Sequence, residues 1–271
     1  EIVNDTIGGV PVAVTYCPLC NTAITFDRRL EGEVLRLGVS GLLRNSDLVM
    51  WENGSDSLFQ QITGEGIVGD FAGSRLEVVP SAIVRFADVR TGHPDAEVLS
   101  RDTGRPFPYG ANPYQGYSSS DRPFLFDGEI DPRHPALSRV VGITVADESK
   151  AYPFSEIQAA GAVNDVVGSA PIVVLWGAAD TADALDAGTI ADSRGVGVGI
   201  AFDRRVGTDT LTFARIDDTT FEDLETGSTW TILGTAVAGP LEGTQLETIP
   251  HRNEFWFAWA AFFPEAPVYE A

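Results

Sequence analysis

Two stretches of the chain repeat one another roughly 160 to 170 residues apart, so any fold open to this sequence has to accommodate one plan twice. The opening VNDTIGGVPVAVTYCPLCNTA is answered by VNDVVGSAPIVVLWGAADTA, and SLFQQITGEGIVGDFAGSRLEVVP by STWTILGTAVAGPLEGTQLETIP. Asn4 and Asp5 correspond to Asn164 and Asp165, Pro11 to Pro171, Gly73 to Gly243 and Pro80 to Pro250. Where the first copy has Cys17-Pro18-Leu19-Cys20, the second has Gly177-Ala178-Ala179-Asp180. Residues common to both copies serve the fold that both must reach. A feature confined to one copy is the better candidate for chemistry, and CPLC is such a feature.

The pattern within each copy is that of short antiparallel strands. Residues 10–16 form a continuous valine-rich run, which predicts a buried strand. Residues 34–39, 47–52, 57–62 and 67–71 follow with Gly and Asn-Gly turns between them, the rhythm of hairpins, and Asn53-Gly54 reads as one such turn. Past Pro80, Ser81 is placed to cap a short amphipathic helix carrying Ile83, Val84, Phe86 and Val89. In the second copy the strands fall at 172–176, 196–203, 210–216, 230–233 and 236–238. A helix over 253–263 is apolar almost all round and is expected to be buried, its aromatic side chains serving as core. Residues 139–162 add a strand leading into a short helix opened near Pro153. The first copy has no such lead-in, and repeat symmetry predicts about twenty further residues ahead of Glu1.

The expected fold class is therefore β-rich α+β: two tandem copies of a small antiparallel sheet with one or two short helices each, related by a pseudo-two-fold axis. Copy one spans 1–100 and copy two 139–271. Between them, 101–138 is dense in Pro, Gly, Ser and Asn yet carries Tyr109, Tyr114, Tyr117, Phe124 and Phe126. A segment so aromatic needs somewhere to pack, and it is expected to lie ordered over the body, sealing the junction of the copies or covering a site.

Composition narrows the partners. Thirty-nine acidic residues against 18 basic ones give a formal net charge of −21, and Lys150 is the only lysine. That field repels phosphate backbones and anionic lipid, so nucleic acid is an unfavourable partner. An acidic, lysine-poor surface also suits high salt, which screens its self-repulsion. No apolar run is long enough for a membrane-spanning helix. The sequons at Asn4 and Asn53 matter only in a secreted protein.

The C-x-x-C spacing brings two sulfurs within reach of one ion or of each other, and three readings compete. A disulfide across so short a loop removes little unfolded-state entropy. A redox dithiol needs one thiolate with a lowered pKa, usually at a helix N-terminus, and the segment after Cys20, NTAITFDRR, does not read as a helix. A metal site built on Cys17 and Cys20 suits copper(I), or zinc if further ligands join. The candidates for those ligands are His93, present in copy one only, and Met50; His134 and His251 have less to recommend them. Arg44 and Asp47, in the polar string Arg44-Asn45-Ser46-Asp47, read either as an ion pair closing a turn or as support for such a site. Phosphate loops, zinc-protease motifs and nucleophile elbows are absent from the sequence.

The strings TYCPLCNTA, SGLLRNSDLVMW, QITGEGIVGDFAGSRLEVVP and KAYPFSE, with Phe26-Asp27-Arg28 and His93-Pro94, resemble the DUF3179 family across nearly the whole chain. The family name carries no established activity. In similar sequences a KAYP-type helix ending in Trp-His precedes the EIVND element, so the resemblance implies that a ligand could lie upstream. The reading that follows is an extracytoplasmic, secreted or cell-surface protein with a soft-metal thiolate site, copper or zinc, acting in metal binding or metal-dependent redox chemistry. Its alternative is a non-enzymatic interaction module in which CPLC is a structural disulfide.

Overall fold

The computed structural model describes residues 1–104, 106–177 and 186–271, so the second-copy positions 178–180 opposite CPLC lie outside the described residues. Short antiparallel sheets dominate, and three α-helices occur among the described residues. The chain is β-rich, as the alternation and the turn residues predict.

The first sheet begins with a strand that the sequence reading did not name, Ile2–Ile7. It pairs with Val10–Cys17, which pairs in turn with Thr22–Asp27, and the short Val78–Val79 closes the edge. In the second half Ala162–Val167 pairs with Ala170–Gly177, and that strand with Val198–Asp203. The two hairpins share a register: Asn4 faces Ala13 as Asn164 faces Val173. Each asparagine then ties its sheet to the next. Asn4 exchanges hydrogen bonds with the backbone of Leu37, and Asn164 with that of Phe213. Asp27 clamps Arg29 through backbone and guanidinium, and Asp203 holds Arg205 the same way. A further sheet, this one of four strands in both cases, follows in each half. It comprises Leu37–Arg44, Asp47–Glu52, Leu58–Gln60 and Gly66–Val68 in the first, and Phe213–Arg215, Thr220–Asp223, Thr229–Thr231 and Ala236–Ala238 in the second.

Two helix expectations are corrected. The helix expected over 253–263 begins only at Trp256: His251–Phe255 is a strand paired with Arg139–Val145, and Trp256–Phe262 follows it. Ladder hydrogen bonds to a neighbouring strand outweigh a local apolar pattern that suits either structure. Ser81 caps nothing. Residues 81–84 stay outside any helix, as β-branched Ile83 and Val84 favour, and the helix is Phe86–Gly92, with Arg85 at its N-cap position paired to Asp88. By contrast, the helix after Pro153 forms as expected, over Phe154–Ala160.

These late elements exchange halves. Phe255, Phe257 and Ala258 pack into the first-half core with Cys17, Cys20, Phe26, Met50 and Phe59. Val84 packs instead against the second-half core around Val173, Phe202 and Trp230. The strand Arg139–Val145, between Glu148–Pro153 and His251–Phe255, carries Gly142 where a side chain has no room. A Cβ there would collide with the Trp259 ring and come within 2.6 Å of Glu254 Oε1. Gly142→Ala is expected to lower stability by about 1–3 kcal/mol, seen as a lower denaturant midpoint at unchanged m-value.

Within the connection between the halves, the part around Tyr117, Phe124 and Phe126 covers the CPLC end of the first half. Tyr117 donates to the carbonyl of Leu19 (2.8 Å) and packs edge-on against Phe255. Ser46 Oγ donates to the carbonyl of Phe124 (2.8 Å), and Phe126 packs on Phe257.

Candidate metal centre

CPLC is the turn between the first-half strands Val10–Cys17 and Thr22–Asp27, with Cys17 in register with Thr22. Asn21, in the left-handed region at φ 55°, returns the chain to the second strand. Facing it is the tight turn that joins Leu37–Arg44 to Asp47–Glu52. Asn45 and Ser46 both have positive φ there, 52° and 62°, the pattern of a type I′ hairpin turn. Asparagine tolerates that conformation, whereas serine adopts it less readily. The result is that the Ser46 carbonyl lies 3.7 Å from Cys17 Sγ and 3.6 Å from Cys20 Sγ. Asp47, the next residue, turns inward and is fully buried.

Cys17 Sγ, Cys20 Sγ and a carboxylate oxygen of Asp47 lie within 4.8 Å of one another, all three residues buried. Both cysteines are free. Around them Gln60 Nε2 and the Ile62 N–H (2.9 Å) donate to Asp47 Oδ2, and Gln61 Nε2 donates to Thr15 Oγ1 (2.9 Å) and to the Thr22 carbonyl (3.3 Å). Three buried acceptors here, Asp47 Oδ1, Gln60 Oε1 and Gln61 Oε1, meet no N–H or O–H donor. A buried, unsatisfied oxygen costs on the order of 1–3 kcal/mol, and a cation held between the two sulfurs and Asp47 would remove that cost for the carboxylate.

The electrostatics follow from burial. Asp47 is pushed up to about 6 by desolvation, which outweighs the hydrogen bonds from the Ile62 N–H, Gln60 and the two cysteine thiols. The Cys20 thiol is raised well above its ordinary value, first by burial and then by Cys17, Asp47 and Glu254. Glu254, fully buried on His251–Phe255, is raised to about 7 by burial against the partial relief of Arg252. Its carboxylate accepts from Arg252 Nε (3.2 Å) and from Thr22 Oγ1 (3.5 Å), and the neighbouring Phe255 N–H donates to the Cys20 carbonyl (2.9 Å). The second half thus supplies one wall of a site built on the first. A raised thiol, followed by a strand in place of a helix, is the opposite of what a nucleophilic redox cysteine needs.

The residues singled out in the sequence fare differently. Cys17 and Cys20 come together, and Asp47, expected only as support, lies at ligand distance from both. Arg44 is Asp47's backbone partner across the turn, but its side chain leaves the site and lies over the Phe262 ring, 5.8 Å from the centroid. Met50 is fully buried in the same apolar cluster as the cysteines, in register with Val39 and Phe59. His93 is exposed at the end of Phe86–Gly92, a helix whose Gly92 backs onto Leu233, and it stands outside the ligand cluster. His134 packs on Trp256, and His251 is buried with Nδ1 on the Ile249 carbonyl (2.7 Å), held down at about 4 by burial.

Glu254, Arg252, Gln60 and Gln61 were not picked out from the sequence, although a signal existed for the first two. After the matched prolines, the first half reads Ser81-Ala82-Ile83-Val84 and the second His251-Arg252-Asn253-Glu254. The polar run is confined to one copy, as CPLC is, and it folds against the other.

A β-rich body with two buried thiols and a carboxylate at ligand distance belongs to the class of candidate metal-binding proteins. The chain is a member of the protein family of unknown function DUF3179, whose profile matches residues 1–266. A search of curated proteins and a search of solved structures each gave no match. Among the described residues no helix is long and apolar enough to cross a membrane.

Proposed function

We propose that this protein binds one thiophilic metal ion through Cys17, Cys20 and Asp47, in metal binding or metal-dependent redox chemistry outside the cytoplasm. The observation that carries the reading is the buried convergence of two sulfurs and a carboxylate whose Oδ1 meets no N–H or O–H donor, the two cysteine thiols being its near neighbours. Two thiolates alone suit copper(I), while the added carboxylate favours a borderline divalent ion and places zinc ahead of copper. Cys17, Cys20 and Asp47 would hold the ion, which would supply Lewis-acid chemistry if a coordination position stayed free. The chain's own residues would hold the ion and orient Asp47 through Gln60 and Ile62, with both thiols buried beside Tyr117 and the Ser46 turn. We extend the proposal to the organisation of the chain, two copies of one unit of which only the first carries cysteines, and to a high-salt setting, which the acidic, lysine-poor composition favours.

Cobalt(II), a spectroscopic stand-in for zinc, tests the reading. The metal-free protein is expected to develop an intense near-ultraviolet thiolate-to-cobalt band at one equivalent, reduced in Cys17→Ser and absent when both cysteines are serine. Unchanged spectra on cobalt addition, with the thiols oxidised and inert, would favour the disulfide-bearing interaction module.

A further inference from the structure

Two turns meet at the sulfurs, and each offers a pair of donor atoms. CPLC supplies Cys17 Sγ and Cys20 Sγ, while the turn opposite supplies the Asp47 carboxylate and, one residue earlier, the main-chain carbonyl of Ser46. Ser46 is 1% exposed, and both thiols donate to its carbonyl oxygen. An ion that binds the two sulfurs displaces both thiol protons to solvent. The Ser46 oxygen then loses both donors and is left buried beside two thiolates, an arrangement relieved only if the oxygen itself meets the cation.

The spacing fits that role. A tetrahedral ion with metal–sulfur bonds of about 2.3 Å and metal–oxygen bonds of about 2.0–2.2 Å sets each sulfur about 3.5–3.7 Å from each oxygen. The Ser46 oxygen stands 3.7 Å from Cys17 Sγ and 3.6 Å from Cys20 Sγ, two edges of such a tetrahedron. The turn that puts it there is an unfavourable one for its residues: Asn45 and Ser46 are both left-handed, and Ser46 Oγ is tied to the Phe124 carbonyl. The second half carries no cysteine, and its matching hairpin joins Phe213–Arg215 to Thr220–Asp223 through a longer turn in which no residue of 216–219 has positive φ. The tight left-handed turn is thus confined to the half that holds the sulfurs.

We propose that the Ser46 carbonyl is the fourth ligand of the ion held by Cys17, Cys20 and Asp47, so that the protein fills the coordination sphere and the ion is a structural staple between the two turns. The inference rests on the metal reading and narrows it. A closed set of two sulfurs and two oxygens suits zinc ahead of copper(I) and leaves no position for a substrate.

The test titrates zinc into metal-free, isotope-labelled protein and follows the Ser46 carbonyl carbon by nuclear magnetic resonance through the Asp47 N–H. Coordination polarises the carbonyl, so its carbon is expected to move downfield, and further than that of Asn45 in the same turn. A carbonyl that only loses its two thiol donors moves upfield. In cobalt-loaded protein, azide and imidazole are expected to leave the ligand-field bands unchanged, because no coordination position is free. An upfield or unmoved Ser46 signal at full zinc occupancy, or cobalt bands that shift with either added ligand, overturns the assignment of the fourth ligand while the metal site stands. Zinc uptake is read in the same samples and in the Cys17→Ser/Cys20→Ser variant. No uptake by the wild type, or equal uptake by the variant, overturns both readings.

Discussion

Zinc is expected to stabilise the metal-free protein by about 4 kcal/mol when the free ion stands a thousandfold above its dissociation constant, and the Cys17→Ser/Cys20→Ser variant is expected to lose the whole effect. For a chain of this size that gain corresponds to a rise in melting temperature of roughly 8–16 °C. The effect is large because the metal-free fold carries its own penalty: two buried thiols beside a buried carboxylate pushed up to about 6. An ion there replaces thiol protons with metal–sulfur bonds. The stabilisation therefore weakens as pH falls, since the raised Cys20 thiol and Asp47 must both give up protons to bind. Thermal unfolding with zinc and with chelator, at two pH values, measures both the size and the sign. An equal shift in the double variant would place the ion elsewhere.

Glu254→Gln is expected to remove much of the alkaline loss of stability in the metal-free protein. The folded state raises Glu254 from 4.5 to about 7, so its contribution is fully present below 4.5 and is lost as pH rises through 7. A shift of that size corresponds to about 3 kcal/mol between pH 5 and pH 8. The groups facing Glu254 are Arg252 on its own strand and Thr22, Cys20 and Asp47 across the core. A glutamine keeps the shape and cannot ionise, so the variant's stability is expected to change less over that range, by about the same 3 kcal/mol. His251 acts at the acid end with the opposite sign. Its folded value of about 4 lies below the ordinary 6.5, so its contribution is present above 6.5 and is lost as pH falls toward 4. Urea unfolding of wild type and variant at pH 5, 6, 7 and 8 gives the comparison, and parallel curves would show that Glu254 is already paired or solvated.

Much of this was legible in the sequence where a pattern has a single physical solution. Alternation with Gly and Asn-Gly turns has only the hairpin solution, and Asp47–Glu52 and Ala236–Ala238 form at the expected residues. The 253–263 run has two, because Asn253, Glu254 and Phe255 fit a helix until a neighbouring strand offers them a ladder. That neighbour lies more than a hundred residues away, and no local propensity encodes it. The same distance hid Glu254, which faces Cys20 only because the last strand of the second half closes the first. Asp47 was visible as a polar residue in an apolar hairpin, but its inward turn depends on the two left-handed residues before it, Asn45 and Ser46. Confinement to one copy found the cysteines because the copies align there without a gap, and it points equally to His251-Arg252-Asn253-Glu254 when carried past Pro250.

The most direct measurement is elemental analysis with thiol counting on protein purified without chelator, for wild type, Asp47→Asn and the Cys17→Ser/Cys20→Ser variant. The account predicts close to one equivalent of zinc or copper in wild type, less in Asp47→Asn, none in the double variant, and two titratable thiols in wild type once the ion is removed and the chain unfolded. Wild-type protein that carries no metal, takes none up after reduction, and yields no free thiol on unfolding would contradict it and make CPLC a disulfide.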